Sequence, residues 1–250
     1  MVGLLHIAGE GHILATQSSM RKHEALKPAT TCQRGHALNT RSSSLGQGLY
    51  AVTDGPRADL LEVVSQALAG GARLLQYRDN TEDKARRQTE STALRELCHR
   101  FGVPLIIDND VELALAVAAD GVHLSGDDVE IDAARAALGP RAIIGMSCHD
   151  SLQRGEDAAR AGASYISFGA FFASITKPLA PRTHVDLLRQ SAAFNVPRVA
   201  IGGITPDNGA ALVEAGADFL AVVSALFAAN DVRSAAYRFA SLYPFDRESA

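Results

Sequence analysis

The chain has 250 residues, 47% of them apolar and 21% charged, with a formal net charge of −4. That length and apolar share suit one large domain with a sizeable core. The acidic balance offers no basic stripe for nucleic acid, and no run approaches the ~18–20 apolar residues of a membrane span.

The first 46 residues carry five Lys/Arg and two acids, with polar runs such as Asn39–Ser44 and no regular apolar period. They predict a disordered extension over 1–46, ahead of a barrel domain over 47–243 and a tail over 244–250. From Gly48 onward, short apolar runs alternate with helical patterns. Strands are predicted at Leu49–Thr53, Arg73–Tyr77, Leu105–Asp108, Gly121–Leu124, Ala142–Met146, Tyr165–Phe168, Arg198–Ile201 and Phe219–Val223. Helices are predicted near 59–69, 82–101, 111–118, 129–138, 151–161, 183–194, 206–215 and 231–242. Gly70-Gly71, Gly102, Gly139-Pro140, Gly162 and Gly216 read as helix stops. Asp59, Thr81, Asp150, Thr205 and Asp231 read as N-caps.

This alternation predicts an α/β fold, a single (β/α)8 TIM barrel with a disordered N-terminal extension. A doubly wound sheet is the alternative, but no Gly-x-Gly-x-x-Gly follows the first strand. In a barrel the functional residues belong at the C-terminal strand ends. Cys32, Cys98 and Cys148 show no metal or disulfide spacing and read as reduced thiols of a cytoplasmic protein.

Strand two ends in Gln76-Tyr77-Arg78-Asp79-Asn80, where Arg78 is a forked cation suited to phosphate oxygens and Gln76 can both donate to and accept from a heterocycle. Strand three ends in Asp108-Asn109-Asp110, and strand four leads to Asp127-Asp128. Carboxylates from two adjacent strand ends can share one Mg²⁺; Asp110 and Asp127 also read as helix caps. His123 is either a base or a hydrogen-bonded strand-end histidine. Ser147 either meets a substrate or caps the next helix. After strand six, Ser174, Thr176 and Lys177 form an anion-binding patch on a loop long enough to act as a lid.

The last two strands run into Ile201-Gly202-Gly203-Ile204 and Val222-Val223-Ser224-Ala225. Glycine lets backbone N–H groups approach a phosphate, and a helix start supplies unpaired donors. The pair predicts a phosphate cup. With Arg78 and Lys177 across the mouth, two anionic ligands or one doubly phosphorylated ligand are implied. No nucleophile–base pair stands out, which favours stabilisation of a departing pyrophosphate over covalent catalysis.

From about Gly48 to Phe239 the chain resembles the thiamine-phosphate synthase (thiamine-phosphate pyrophosphorylase) family. The resemblance rests on Gly48–Asp54, Leu75–Asp79, Asp120–Leu124, Ile144–Ser147, Phe168–Phe172, Thr176-Lys177 and the two cup segments, in this order and spacing. It implies condensation of a hydroxymethylpyrimidine diphosphate with a thiazole phosphate, through a dissociative, Mg²⁺-assisted loss of pyrophosphate. It further implies that Gln76, Arg78, Asn80, Asp108, Ser147 and Lys177 meet the pyrimidine diphosphate. Ser174, Thr176, Gly203, Val223 and Ser224 would hold the thiazole phosphate, and Asn109 and Asp128 the Mg²⁺. The implied partners are two phosphorylated small molecules, with no nucleic acid and no membrane; a homo-oligomer stays open.

The departures from the family pattern cluster at the diphosphate end. Asn80 stands where the family has Lys. Asp108-Asn109 stands where it has Asn-Asp, and Ser125-Gly126-Asp127 replaces Gly-Gln-Glu. A thiazole tautomerase-like enzyme using His123, or a non-catalytic barrel that binds a phosphorylated ligand, remain alternatives.

Overall fold

The computed structural model describes residues 45–126, 131–173 and 182–244. Its strands are β1 (Gly48–Val52), β2 (Ala72–Tyr77), β3 (Leu105–Asp108), β4 (Gly121–Leu124), β5 (Ile143–His149), β6 (Tyr165–Phe168), β7 (Arg198–Ile201) and β8 (Phe219–Val222). Each pairs in parallel with its sequence neighbour, and β8 pairs back onto β1, closing the barrel. Around it run α1 (Leu60–Ala69), α2 (Lys84–Phe101), α3 (Val111–Ala116), α4 (Ile131–Leu138) and α5 (Leu152–Arg160). Then come α6 (Asp186–Gln190) with a 3₁₀ turn at Ser191–Phe194, α7 (Pro206–Glu214), α8 (Ser224–Phe227) and α9 (Val232–Ala240). The fold is the (β/α)8 barrel that the alternation predicts; the extension predicted over 1–46 lies, up to residue 44, outside the described residues.

Successive strand side chains point to opposite faces, so each strand feeds two separate cores. Tyr50, Val52, Leu74, Ile106, Tyr165, Val199, Phe219 and Ala221 fill the barrel lumen. Their neighbours, among them Leu49, Ala51, Leu75, Ile107, Val122, Ile144, Ile166 and Leu220, pack outward against the helices. Burial on both faces explains why the strands read as continuous apolar runs rather than as alternating ones.

Two lumen positions hold glycine because nothing larger fits. A Cβ on Gly121 would lie 1.8 Å from the Ile143 carbonyl oxygen, and one on Gly145 would lie 2.0 Å from Tyr165 Cζ. The space is taken by the neighbouring backbone in the first case and by the Tyr165 ring in the second.

At the N-terminal end of the barrel, polar clamps tie strand starts together. Asp120 accepts from the Leu105 N–H at 2.8 Å, and Asp218 accepts from the Arg198 N–H at 2.8 Å and pairs with its guanidinium at 3.2 Å. Arg135 donates to the carbonyls of Ala142 and Gly162. These groups hold the base and leave the opposite end for chemistry.

The helix stops predicted at Gly102, Gly139, Gly162 and Gly216 all have positive φ, and Gly70 caps α1. The caps are partly different from the expected ones. Asp231 accepts from the Ser234 N–H, and Asn208 reaches back to the Thr205 N–H, as expected for those two starts. Asp59, however, makes no cap bond, α2 is capped by Asp83 rather than Thr81, and α5 by Ser151 rather than Asp150. For α5 the start shifts because β5 runs on to His149. β2 ends at Tyr77 as predicted, and there Asp79 takes the Thr81 N–H while Asp83 takes that of Arg86.

Gly121→Ala should destabilise the fold by about 3 kcal/mol, the upper end of overpacking penalties, because the obstacle is backbone and cannot rotate away. Urea denaturation of the variant against the natural sequence checks this; an unchanged midpoint would contradict it.

Candidate active site

The C-terminal end of β2 presents Gln76 and Arg78 on the lumen side. Gln76 is buried, and its Nε2 donates to Asp108 Oδ1 at 2.7 Å. Arg78, half-buried at the mouth, is held through its backbone by Thr53. The Thr53 hydroxyl accepts from the Arg78 N–H at 2.7 Å and donates to the Arg78 carbonyl at 3.0 Å, while the Thr53 N–H bonds the Gln76 carbonyl. Thr53 was not among the predicted site residues. Its signal, a lone hydroxyl at the end of β1, is readable only once β1 is known to lie beside β2.

Asp79 turns away from the mouth. It accepts from the Thr81 N–H at 2.8 Å and pairs with Arg86 at 2.7 Å. Burial works against its charge, yet these partners hold its carboxyl below the usual range. Asn80 is exposed next to it. Neither nearby α2 arginine stands in for the missing Lys: Arg86 is engaged by Asp79 and Glu90, and Arg87 by Asp110 at 2.8 Å.

Three polar residues mark the end of β3 and the start of the next loop, and each takes a different direction. Asp108 stays in the strand beside His123 of β4. Asn109 has φ 55°, a left-handed conformation that Asn tolerates well. Its N–H donates to the His123 carbonyl, its side-chain oxygen accepts from the Ser125 N–H at 2.7 Å, and its Nδ2 donates to Ser125 Oγ at 2.6 Å. Asp110 is a helix cap: one oxygen accepts from the Leu113 N–H and the other from Arg87. Asp127 and Asp128 lie outside the described residues. Among the described residues no three metal-ligating side chains cluster. The carboxylate of Asp108 and the amide oxygen of Asn109 are hard oxygen donors of the kind Mg²⁺ takes.

A chain of hydrogen bonds crosses the lumen just below the mouth. Ser147 Oγ lies 3.0 Å from His123 Nε2, His123 Nδ1 lies 3.0 Å from the Tyr165 hydroxyl, and that hydroxyl lies 2.7 Å from the Tyr50 hydroxyl. Ser147 belongs to β5, which runs on to His149, three residues beyond the predicted Met146 and past the serine itself; it is a lumen residue and not a cap. Burial pushes the His123 ring down to about 4 and raises both phenols well above their ordinary value. His123 is therefore neutral, and both its nitrogens are occupied, which disfavours a base role. Cys148 is buried and its thiol is pushed up to about 12 by that burial, an inert group beside an active-site loop.

The two segments predicted to form a cup lie at the ends of β7 and β8. Gly202 and Gly203 have φ 105° and 62°, and a Cβ on either would collide with the loop after β6: with Ala170 Cβ at 2.5 Å and with the Ala173 carbonyl at 2.3 Å. The Phe172 N–H donates to the Gly202 carbonyl at 3.0 Å. These glycines therefore serve backbone packing against the root of that loop as well as open access. Val223 and Ser224 are half-buried at the start of α8, whose first N–H groups lack helical acceptors. Ser174, Thr176 and Lys177 lie outside the described residues.

The His123 shift has a stability consequence. Unfolded, the ring takes up a proton near its ordinary 6.5; folded, only near about 4. Its contribution is complete above pH 6.5 and is lost as pH falls towards 4, a difference of about 3 kcal/mol. Denaturation of the natural chain and of His123→Gln across that window should show a shallower pH dependence in the variant.

Residues 49–226 match the family model for thiamine monophosphate synthase. The chain is 52% identical over 200 residues to a thiamine-phosphate synthase of Azoarcus sp. (strain BH72), a match covering 79% of this chain and 97% of that one. It is 46% identical over 207 residues to a thiamine-phosphate synthase of Nitrosococcus oceani, covering 81% and 95%. The solved thiamine phosphate pyrophosphorylase of Pyrococcus furiosus superposes with a TM-score of 0.71 at 33% identity, covering 82% of this chain and 97% of that one. A closed parallel barrel, a family model matched over most of the chain and relatives of this closeness lead to one assignment: the chain belongs to the thiamine monophosphate synthase family and is a transferase of thiamine biosynthesis.

Proposed function

We propose that this chain joins 4-amino-2-methyl-5-(diphosphooxymethyl)pyrimidine to thiazole phosphate, releasing pyrophosphate and giving thiamine phosphate. The observation that carries the reading is the pairing of Gln76 with Asp108 beside Arg78 and Ser147 at one barrel mouth that also carries the Gly203–Ser224 cup. In a dissociative path the pyrimidine C–O bond breaks first, and its electron pair leaves with pyrophosphate. The aminopyrimidine ring spreads the resulting positive charge. The thiazole nitrogen then donates its lone pair to the same carbon.

The side chains divide this work. Gln76 has its Nε2 committed to Asp108, so it meets the pyrimidine with Oε1, an acceptor matched to the 4-amino group. Arg78, fixed by Thr53, and Lys177 oppose the charge that grows on the leaving pyrophosphate. Gly203, Val223 and Ser224 hold the thiazole phosphate through backbone donors, with Ser174 and Thr176 beside it. Mg²⁺, when bound, adds positive charge at the diphosphate, and Asn109 and Asp128 are the residues proposed to hold it. Cytoplasmic activity as a self-contained barrel over 47–243 completes the reading. The tautomerase alternative, in which His123 is a base, is weakened by the occupation of both its ring nitrogens.

Purified protein with both substrates and Mg²⁺ should form thiamine phosphate, and Arg78→Ala should lower kcat by about 10²–10³-fold, the usual loss for an oriented charge donor. No product above a heat-killed control would overturn the reading. Asn80→Lys should raise kcat/KM for the pyrimidine diphosphate by about tenfold, since both nearby arginines are engaged elsewhere. An unchanged value would mean that the site already compensates for the lost cation.

A further inference from the structure

The lumen chain from Tyr50 to Ser147 has a direction. Tyr50 and Tyr165 are buried and meet edge to face, with ring centroids 5.7 Å apart. The His123 ring stacks on Tyr165 at 5.6 Å with an interplanar angle of 9°. The missing side chain of Gly145 leaves the Tyr165 hydroxyl its place between Tyr50 and His123. The arrangement is rigid, so its protons have few options.

A neutral imidazole carries one donor and one acceptor nitrogen. Two orders follow. In the first, Ser147 donates to Nε2, Nδ1–H donates to Tyr165, and Tyr165 donates to Tyr50. Ser147 then shows the mouth only lone pairs, which repel an anion. That order also leaves the Tyr50 proton in a buried lumen where its hydrogen-bond partner is Tyr165, already donating to it. In the second, Tyr50 donates to Tyr165, Tyr165 to Nδ1, and Nε2–H to Ser147. Every buried proton then has an acceptor, and the Ser147 proton is turned to the half-buried mouth.

We infer that Tyr50, Tyr165 and His123 are positioning residues: they hold His123 in the Nε2–H tautomer and thereby make Ser147 a hydrogen-bond donor to an anionic oxygen of the ligand. That the oxygen belongs to the departing diphosphate rests on the function proposed above. Tyr165 is the central member, because its hydroxyl bonds both neighbours. Losing it frees the imidazole to take the other tautomer and accept the Ser147 proton.

Nitrogen-15 spectra of the natural protein, labelled at histidine and assigned with His123→Asn, report the tautomer directly. Protonation at Nε2 alone is expected; protonation at Nδ1 alone, or at both, overturns the inference. Kinetics supply the second arm. Tyr165→Phe should lower kcat by about 10- to 100-fold with KM for thiazole phosphate unchanged, and Tyr50→Phe should cost less. In a Ser147→Ala background, Tyr165→Phe should have no further effect, whereas a purely structural role would give the same loss in both backgrounds and overturn the inference. If Tyr165→Phe fails to fold, Tyr50→Phe is tested in the same two backgrounds. Absence of synthesis by the natural sequence would sink the proposed function alone, and the spectrum would still decide the tautomer.

Discussion

A closed barrel sends every second strand residue into a lumen whose walls are backbone, and any polar group placed there must find a partner inside it. Tyr165 is where that constraint is met most tightly. Its hydroxyl bonds Tyr50 on one side and His123 on the other, and its ring occupies the volume that Gly145 leaves empty. The order of polar groups from Tyr50 to Ser147 follows from this one placement. So does the neutrality of His123, since burial among phenols and strands disfavours the charged form of its ring.

The barrel mouth shows a division between positioning and charge. Thr53, Asp108 and Ser125 spend their hydrogen bonds on holding Arg78, Gln76 and Asn109 in place. The acids that look most like spare ligands in the sequence are structural instead: Asp79 anchors the turn after β2, and Asp110 caps α3 and pairs with Arg87. The exchange of Asn-Asp for Asp-Asn after β3 therefore relocates a carboxylate rather than deleting it. Asp108 lies on the strand face that meets Gln76, and the residue that follows adopts the left-handed conformation an amide accepts readily.

The strands were legible because a doubly buried strand is a short unbroken apolar run, and the turns because glycine marks the helix ends. Strand ends were less legible where polar residues continue the ladder. Ser147 and His149 belong to β5 although their side chains read as loop, since a barrel strand turns polar where it reaches the mouth. The short α8 was implied only as a helix start after the cup, because Ser224–Phe227 is a single turn with no period to read. Thr53 was missed for a different reason: its partner Arg78 is 25 positions away in the chain and adjacent only across β1 and β2.

What the sequence determined by itself is the alternation, the closure into (β/α)8 units and the residue types available at each strand end, because periodicity and turn chemistry are local. What only the tertiary structure decided is which of those residues face one another. Strand register sets Asp108 beside His123, and lumen packing sets the Tyr165 hydroxyl within reach of His123 and Tyr50. It also showed that Gly202 and Gly203 answer to the loop after β6 as well as to a ligand. Such pairings are contacts between distant segments, fixed by register and by the volume left inside a closed sheet, and neither quantity is written in any local stretch of the chain.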